Sequence, residues 1–109
     1  MSPSDSHGFL VAFGRNDAVE PAIGGFAADK AYTTAILRQA AADFGERMAA
    51  NPTLALGVGT REWLMTWRGG VPVFEEADCI GAVGVSGAKD SEDIECTAKA
   101  IEDAGLSFR

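Results

Sequence analysis

Five residues of this chain have groups suited to binding a charged or metal-containing ligand: His7, Arg15, Lys30, Ser86 and Gly87. Imidazole is a frequent axial ligand of tetrapyrrole iron, and His7 is the one histidine. Arg15 and Lys30 carry positive charge that can pair with a carboxylate. Ser86 and Gly87 belong to the segment GVGVSG, whose glycines allow a close backbone approach to a ligand. These residue types predict a site for an anionic ligand such as a carboxylate.

Each of these residues also has a structural interpretation. A histidine near a chain terminus is usually solvated. Lys30 falls in an apolar helical stripe, from which its amine can extend to the surface or pair with Asp17 or a bound carboxylate. Ser86 and Gly87 can serve a tight turn that leads into a helix. The residue types alone leave both interpretations open.

The sequence names no catalytic group and predicts no metal site. One histidine beside the chain end is a poor general base, so no Ser-His-Asp arrangement can be argued. Cys79 and Cys96 are too far apart for a CxxC motif, and we expect reduced, buried thiols. Nucleotide-binding signatures are absent as well. Whether the protein is an enzyme therefore remains open.

The charge balance excludes some partners. The net charge is −7 and the pI about 4.5, and the nine basic residues are scattered. Nucleic acid and anionic membrane surfaces both require a concentrated positive surface. The residues at the amino terminus lack a basic start and an apolar core, so we expect a cytoplasmic protein. Residues 1–109 suit a single domain.

Hydrophobic patterns predict the elements that would position these groups. Three residues on a predicted strand, Trp63, Met65 and Trp67, alternate toward one side; they could stack on a porphyrin, but a subunit interface is favoured. The order of elements indicates an α/β (α+β) fold, a mainly antiparallel sheet packed by helices. In the first half of the chain we predict a buried strand at 9–13, a helix at 23–44 and a loop at 51–60. In the second half we predict a strand at 63–67 and a hairpin of strands 71–74 and 79–85, with Pro72 at an edge. The last element is a helix that begins at Asp90 or Ser91 and ends at Gly105.

Two segments resemble the GlcG/HbpS-type family. The stronger one contains GGVPV at 69–73 and IGAVGVSG at 80–87. The weaker one contains GFLVAF at 8–13 and KAYTTA at 30–35. Their order and spacing match the family over nearly the whole chain.

The resemblance implies a roadblock/profilin-like α/β layer and a binding protein for heme or a related tetrapyrrole. Proteins of this family include the C-terminal domain of a corrinoid adenosyltransferase, and many form dimers or rings. Relative to the family pattern, the first helix and first strand are missing here. We therefore expect a homo-oligomer, or a partner chain that supplies those elements.

Two other functions stay open at this point. The first is a metal-independent enzyme, or enzyme subunit, acting on a small carboxylated metabolite, with Lys30, Arg15 and Ser86 as the polar groups of its pocket. The second is a structural subunit of a larger assembly. The first interpretation, a small cytoplasmic oligomeric binding protein, is the one we carry forward.

Overall fold

The computed structural model describes residues 1–15, 20–87 and 90–108, without the side chains of residues 90–93 and 96. Its elements are β1 (Ser2–Asp5), α1 (Pro21–Leu37), α2 (Ala41–Ala49), α3 (Pro52–Val58), β2 (Gly70–Glu75), β3 (Asp78–Gly84) and α4 (Asp90–Asp103). The predicted α+β class is confirmed. Asp17 and Lys89 lie outside the described residues.

The three strands form an antiparallel sheet in the order β1-β3-β2. The predicted hairpin is therefore correct, with a turn between Glu75 and Asp78. Pro72 lies on β2, at the sheet edge, as expected for a residue without a donor N–H. The pairing register of β2 with β3 shifts between Val73 and Phe74. Ile80 is therefore an extra residue on β3 that is paired with no residue of β2.

Small residues allow α1 to lie very close to one face of the sheet. The helix buries Gly24, Ala27, Ala31 and Thr34, whereas the more bulky Ile23 and Phe26 are only half-buried. On the sheet side, a methyl group at Gly84 would collide with the carbonyl oxygen of Ala27. The sheet therefore admits only short side chains on this face.

The opposite face is packed by α4 through larger aliphatic side chains. Val71, Val73, Val83 and Ile101 form a buried cluster. Leu106 packs against this cluster, and Gly105, with φ +79°, ends the final turn as predicted. Beside α4 the sheet carries an apolar groove of about 360 Å³.

The apolar segment at 9–13 is not the buried strand that we predicted. Phe9 and Val11 are 72% and 69% exposed, and the segment follows the outer side of β1. The N–H of Val11 donates to the carbonyl of Pro3 at 3.0 Å. The strand that pairs with β3 is the polar Ser2–Asp5, because its serines are short enough to lie under α1. A strand therefore does precede Gly8, contrary to our expectation that it would be missing.

Three other boundaries differ from the predictions. The predicted helix at 23–44 is two helices, separated at Arg38, whose φ of 56° is left-handed. The predicted loop at 51–60 contains α3, which begins with Asn51 as a side-chain cap and Pro52 in the first turn. The predicted strand at 63–67 is irregular, because Trp63 has a φ of 70°.

Candidate functional site

His7 lies at the tip of a tight turn between β1 and the segment that follows it. The Asp5 carboxylate accepts hydrogen bonds from the backbone N–H groups of His7 (2.9 Å) and Phe9 (3.0 Å). The backbone of Gly8 has a φ of +86°, and a side chain there would come within 2.7 Å of the Tyr32 ring. Asp5 thus fixes the backbone of the turn, Gly8 lets the turn lie against α1, and the side chain of His7 is exposed.

An aromatic cleft of about 350 Å³ adjoins this turn. The rings of Tyr32 and Trp63 meet edge to face, with centroids 5.4 Å apart. Trp63 is 59% exposed and Phe9 is exposed further, so the walls of the cleft are apolar surfaces open to solvent. Its lining consists of Gly8, Phe9, Leu10, Ala28, Asp29, Tyr32 and Trp63.

A buried hydroxyl on α1 holds Trp63 in place. Thr33 Oγ1 donates to the carbonyl oxygen of Trp63 and accepts from the N–H of Met65, both at 2.9 Å. Thr33 is fully buried, so these two bonds are shielded from water. The loop is therefore tied to the same helix that supplies Tyr32.

Asp29 is the acidic group lining the cleft. Desolvation by burial raises the pKa of its carboxyl above the usual value of 3.8. An acid with a raised pKa takes up a proton at a higher pH than aspartate in water. The cleft thus combines aromatic walls with one titratable carboxyl.

Arg15 and Ser86 meet in a separate cavity of about 150 Å³. This cavity adjoins Met1, which pairs through its N–H₃⁺ group with the carbonyl of Gly14, whereas His7 follows the other end of β1. Four residues of extended strand span about 13 Å. The structure therefore brings two predicted residues together and separates them from the histidine.

Lys30 and Gly87 complete the set of predicted residues. Lys30 is buried, and its Nζ donates to the carbonyl oxygen of Val85 at 3.0 Å. It thereby supports the backbone directly before Ser86. Gly87, exposed with a φ of +113°, makes the turn that follows. The amine does not extend to the surface, which was one of the interpretations given for Lys30 above.

The two tryptophans do not share a face. Trp63 contacts Tyr32, whereas Trp67 contacts Phe26 with ring centroids 5.2 Å apart. The expected common aromatic surface of Trp63, Met65 and Trp67 is wrong, because the segment is not extended. Each tryptophan instead covers a different part of α1.

The sequence matches the family model described as Haem degrading protein HbpS-like over residues 3–102. That range is nearly the whole chain. The chain belongs to this HbpS-like family. No curated protein matches its sequence.

Solved structures share the HbpS-like fold. A PduOC:heme complex superimposes with a TM-score of 0.87 and 21% identity, over 99% of this chain and 79% of that one. Protein ORFY of Klebsiella pneumoniae gives 0.83 and 24%, over 93% and 70%. A double mutant of Streptomyces reticuli HbpS gives 0.77 and 24%, over 94% and 68%.

The described part of the chain has neither a membrane-spanning helix nor a cluster of metal ligands. No helix there combines the length and apolar character needed to cross a membrane. Among those same residues, no group of three or more histidine, cysteine or acidic side chains is arranged to hold a metal ion. Cys79 is a half-buried free thiol.

Sequence analysis of this HbpS-like chain missed most of the aromatic cleft. Neither Tyr32 nor Asp29 is among the site residues that the sequence predicts. One available signal was the spacing of Ala28, Asp29 and Tyr32, which places them on one helical side. The contribution of Trp63 could not be found in this way, since it depends on a left-handed backbone.

Proposed function

We propose that this HbpS-like protein binds heme or a related tetrapyrrole in the aromatic cleft, with His7 as an axial ligand. The observation that carries the proposal is the position of His7 in the chain directly before Gly8 and Phe9, two residues that line the cleft with Tyr32 and Trp63. The family description and the PduOC:heme complex support the ligand class.

The residues of the cleft fit such a ligand chemically. A tetrapyrrole is a flat apolar ring, and aromatic side chains offer flat apolar surfaces on which it can stack. The cleft volume lies in the range of small-molecule sites. His7 supplies a nitrogen donor on a turn that two hydrogen bonds to Asp5 hold in place. The bound group would supply the metal chemistry, and the protein would hold and orient it.

We further propose that the protein forms a homo-oligomer. Its support is the exposed apolar side chains of the segment beside β1, which includes Phe9, Leu10, Val11 and Phe13. Contiguous apolar surface of this kind marks interaction sites in soluble proteins. A partner chain is the alternative occupant of this apolar surface. The cytoplasmic location stays a prediction.

The test is a hemin titration of the purified chain, followed by absorbance, with size-exclusion chromatography alongside. We expect a saturable Soret shift at about one heme per chain or per pair of chains. His7→Ala should shift the band to a different position, since the metal loses its nitrogen ligand. A folded protein that gives no saturable shift would exclude the proposal.

The two tryptophans provide a matched pair of variants. Trp63→Leu should weaken hemin binding about tenfold, the loss expected for one aromatic contact. Trp67→Leu removes a tryptophan of similar exposure from a different surface and should leave the affinity unchanged. Equal losses in the two variants would show that hemin does not bind in the cleft.

A further inference from the structure

We infer that the cavity of Arg15 and Ser86 is a second, separate site that binds a carboxylate group. This inference does not depend on the tetrapyrrole proposal, because the cavity and the cleft lie at opposite ends of β1. It rests on three independent features: a buried hydroxyl, a helix amino terminus and a guanidinium group.

The hydroxyl of Ser86 is the first feature. Its Oγ is buried, and it has no hydrogen-bond partner among the described residues. A buried polar group without a partner costs about 1–3 kcal/mol. Ser86 lines the cavity, so a rotation of its hydroxyl toward that space would let a ligand oxygen become the missing partner.

The amino terminus of α1 is the second feature. Ile23 and Gly24, from the first turn of this 17-residue helix, line the cavity. The first turn has no acidic residue, the N-cap residue is Glu20, and no side chain of the described residues caps the helix. The N–H of Ile23 already donates to the carbonyl of Glu20 at 3.0 Å, so the terminus contributes the positive end of the helix dipole, which favours an anion.

The guanidinium group of Arg15 is the third feature, together with the size of the cavity. Arg15 is one of the lining residues, and a guanidinium is a group suited to binding carboxylate oxygens. A side chain at Gly24 would come within 2.6 Å of the Phe13 ring, so the glycine lets Phe13 approach the helix beside the cavity. An engineered cavity of about 150 Å³ in another protein binds benzene, so an acid with about six non-hydrogen atoms fits.

A carboxylate can come from a free small acid or from a side chain of a tetrapyrrole. Two arms of the experiment separate these sources. In the first, acetate, glycolate and lactate are titrated into the ligand-free protein and followed by NMR of the backbone amides, with acetamide as the uncharged control. In the second, hemin is titrated into the same protein and its variants.

The variants are Ser86→Ala and Arg15→Gln, with Ser107→Ala and the exposed Arg68→Gln as matched controls. If the carboxylate is free, one of the acids should shift the amides of Gly24 and Ser86 saturably, and acetamide should not. Each site variant should weaken that binding at least about tenfold, as expected for losing a hydrogen bond to a charged group. The control variants should bind as the wild type does.

If the carboxylate belongs to the tetrapyrrole, the same two variants should weaken hemin binding instead. Dependence on Ser86 and Arg15 in either arm supports a carboxylate site and identifies its source. Absence of that dependence in both arms would overturn the inference. The cleft proposal has its own variants, Trp63→Leu and His7→Ala, so each can fail without the other.

Discussion

The face of the sheet under α1 and the face under α4 are packed with side chains of very different size. Under α1, Gly70 and Gly84 leave the helix backbone almost in contact with the strands. Under α4, Val71, Val83 and Ile101 fill a wider space, and a groove remains beside them. The first face has only short side chains between the backbones, such as Ser4 and Thr34, whereas the second has several branched aliphatic ones.

This difference explains where the candidate sites lie. A helix held at backbone contact has a fixed position, so the residues along its sides keep a fixed geometry. Tyr32 and Asp29 line the aromatic cleft on one side of α1, and Gly24 lines the carboxylate cavity near its start. We interpret the close face as the support for both sites.

Gly84→Ala is the strongest test of this comparison. The new methyl group would collide with the Ala27 carbonyl oxygen and approach the Ala31 nitrogen at 2.8 Å, both backbone atoms. Neither can rotate away, so we expect a loss of more than about 3 kcal/mol of unfolding free energy. Denaturant unfolding measures it.

Gly25→Ala is the matched control for this substitution. Gly25 is exposed on α1, with open space around it, so alanine should stabilise the helix by about 0.5–1 kcal/mol. If Gly84→Ala remained within about 1 kcal/mol of the wild type, the close face would be adjustable and the comparison would fail.

The α4 face should give smaller effects. Ile101→Val removes one buried methylene and should cost about 1 kcal/mol of unfolding free energy. Ala100→Leu places a larger side chain at the groove, which Ala100 lines, and should change stability by less than about 1 kcal/mol. The same denaturant experiment measures both. A severe loss from Ala100→Leu would mean that this face is as tightly packed as the other.

The smallest expected effect is the pH dependence from Asp29. Burial raises the pKa of its carboxyl in the folded state above 3.8, so the folded protein binds this proton more tightly than the unfolded chain. Below pH 3.8 the Asp29 carboxyl is protonated in the folded and the unfolded chain, so it does not lower the free energy of unfolding. As the pH rises from there through the folded-state pKa, the free energy of unfolding falls. Asp29→Asn should abolish this loss.

Melting temperatures across the acidic range test that prediction. The difference between Asp29→Asn and the wild type should grow as pH rises through the range just above 3.8 and then stay constant. A difference that is the same at every pH would show that the carboxyl is not affected by burial.

Some of this structure follows from sequence patterns. The hairpin was predicted because a turn separates two apolar runs, and α4 because its apolar spacing ends at Gly105. Arg38 gave no such signal: the chain turns left-handed there without a glycine. The Asn51-Pro52 pair that begins α3 is a recognised start signal, although the glycines nearby favoured a loop.

For the two candidate sites, the sequence indicated the chemistry of the residues but not their positions. His7, Arg15 and Ser86 were found from their chemistry, because rare or charged residue types are visible without a fold. Their separation into two places was not visible, since it depends on the polar strand Ser2–Asp5. That strand lacks an apolar pattern, because its place under α1 requires short side chains.

The edge at β2 limits how this sheet can grow. Phe74 exchanges backbone hydrogen bonds with Ser107 on its outer side, and Pro72, two residues earlier, has no N–H to offer in that direction. Another strand therefore cannot easily add at β2. The outer side of β1 is covered as well, because Val11 donates to the carbonyl of Pro3 and Asp5 donates to the carbonyl of Phe9. Among the described residues, both edges of the sheet are thus paired with other segments of the same chain, which protects the sheet from edge-to-edge aggregation.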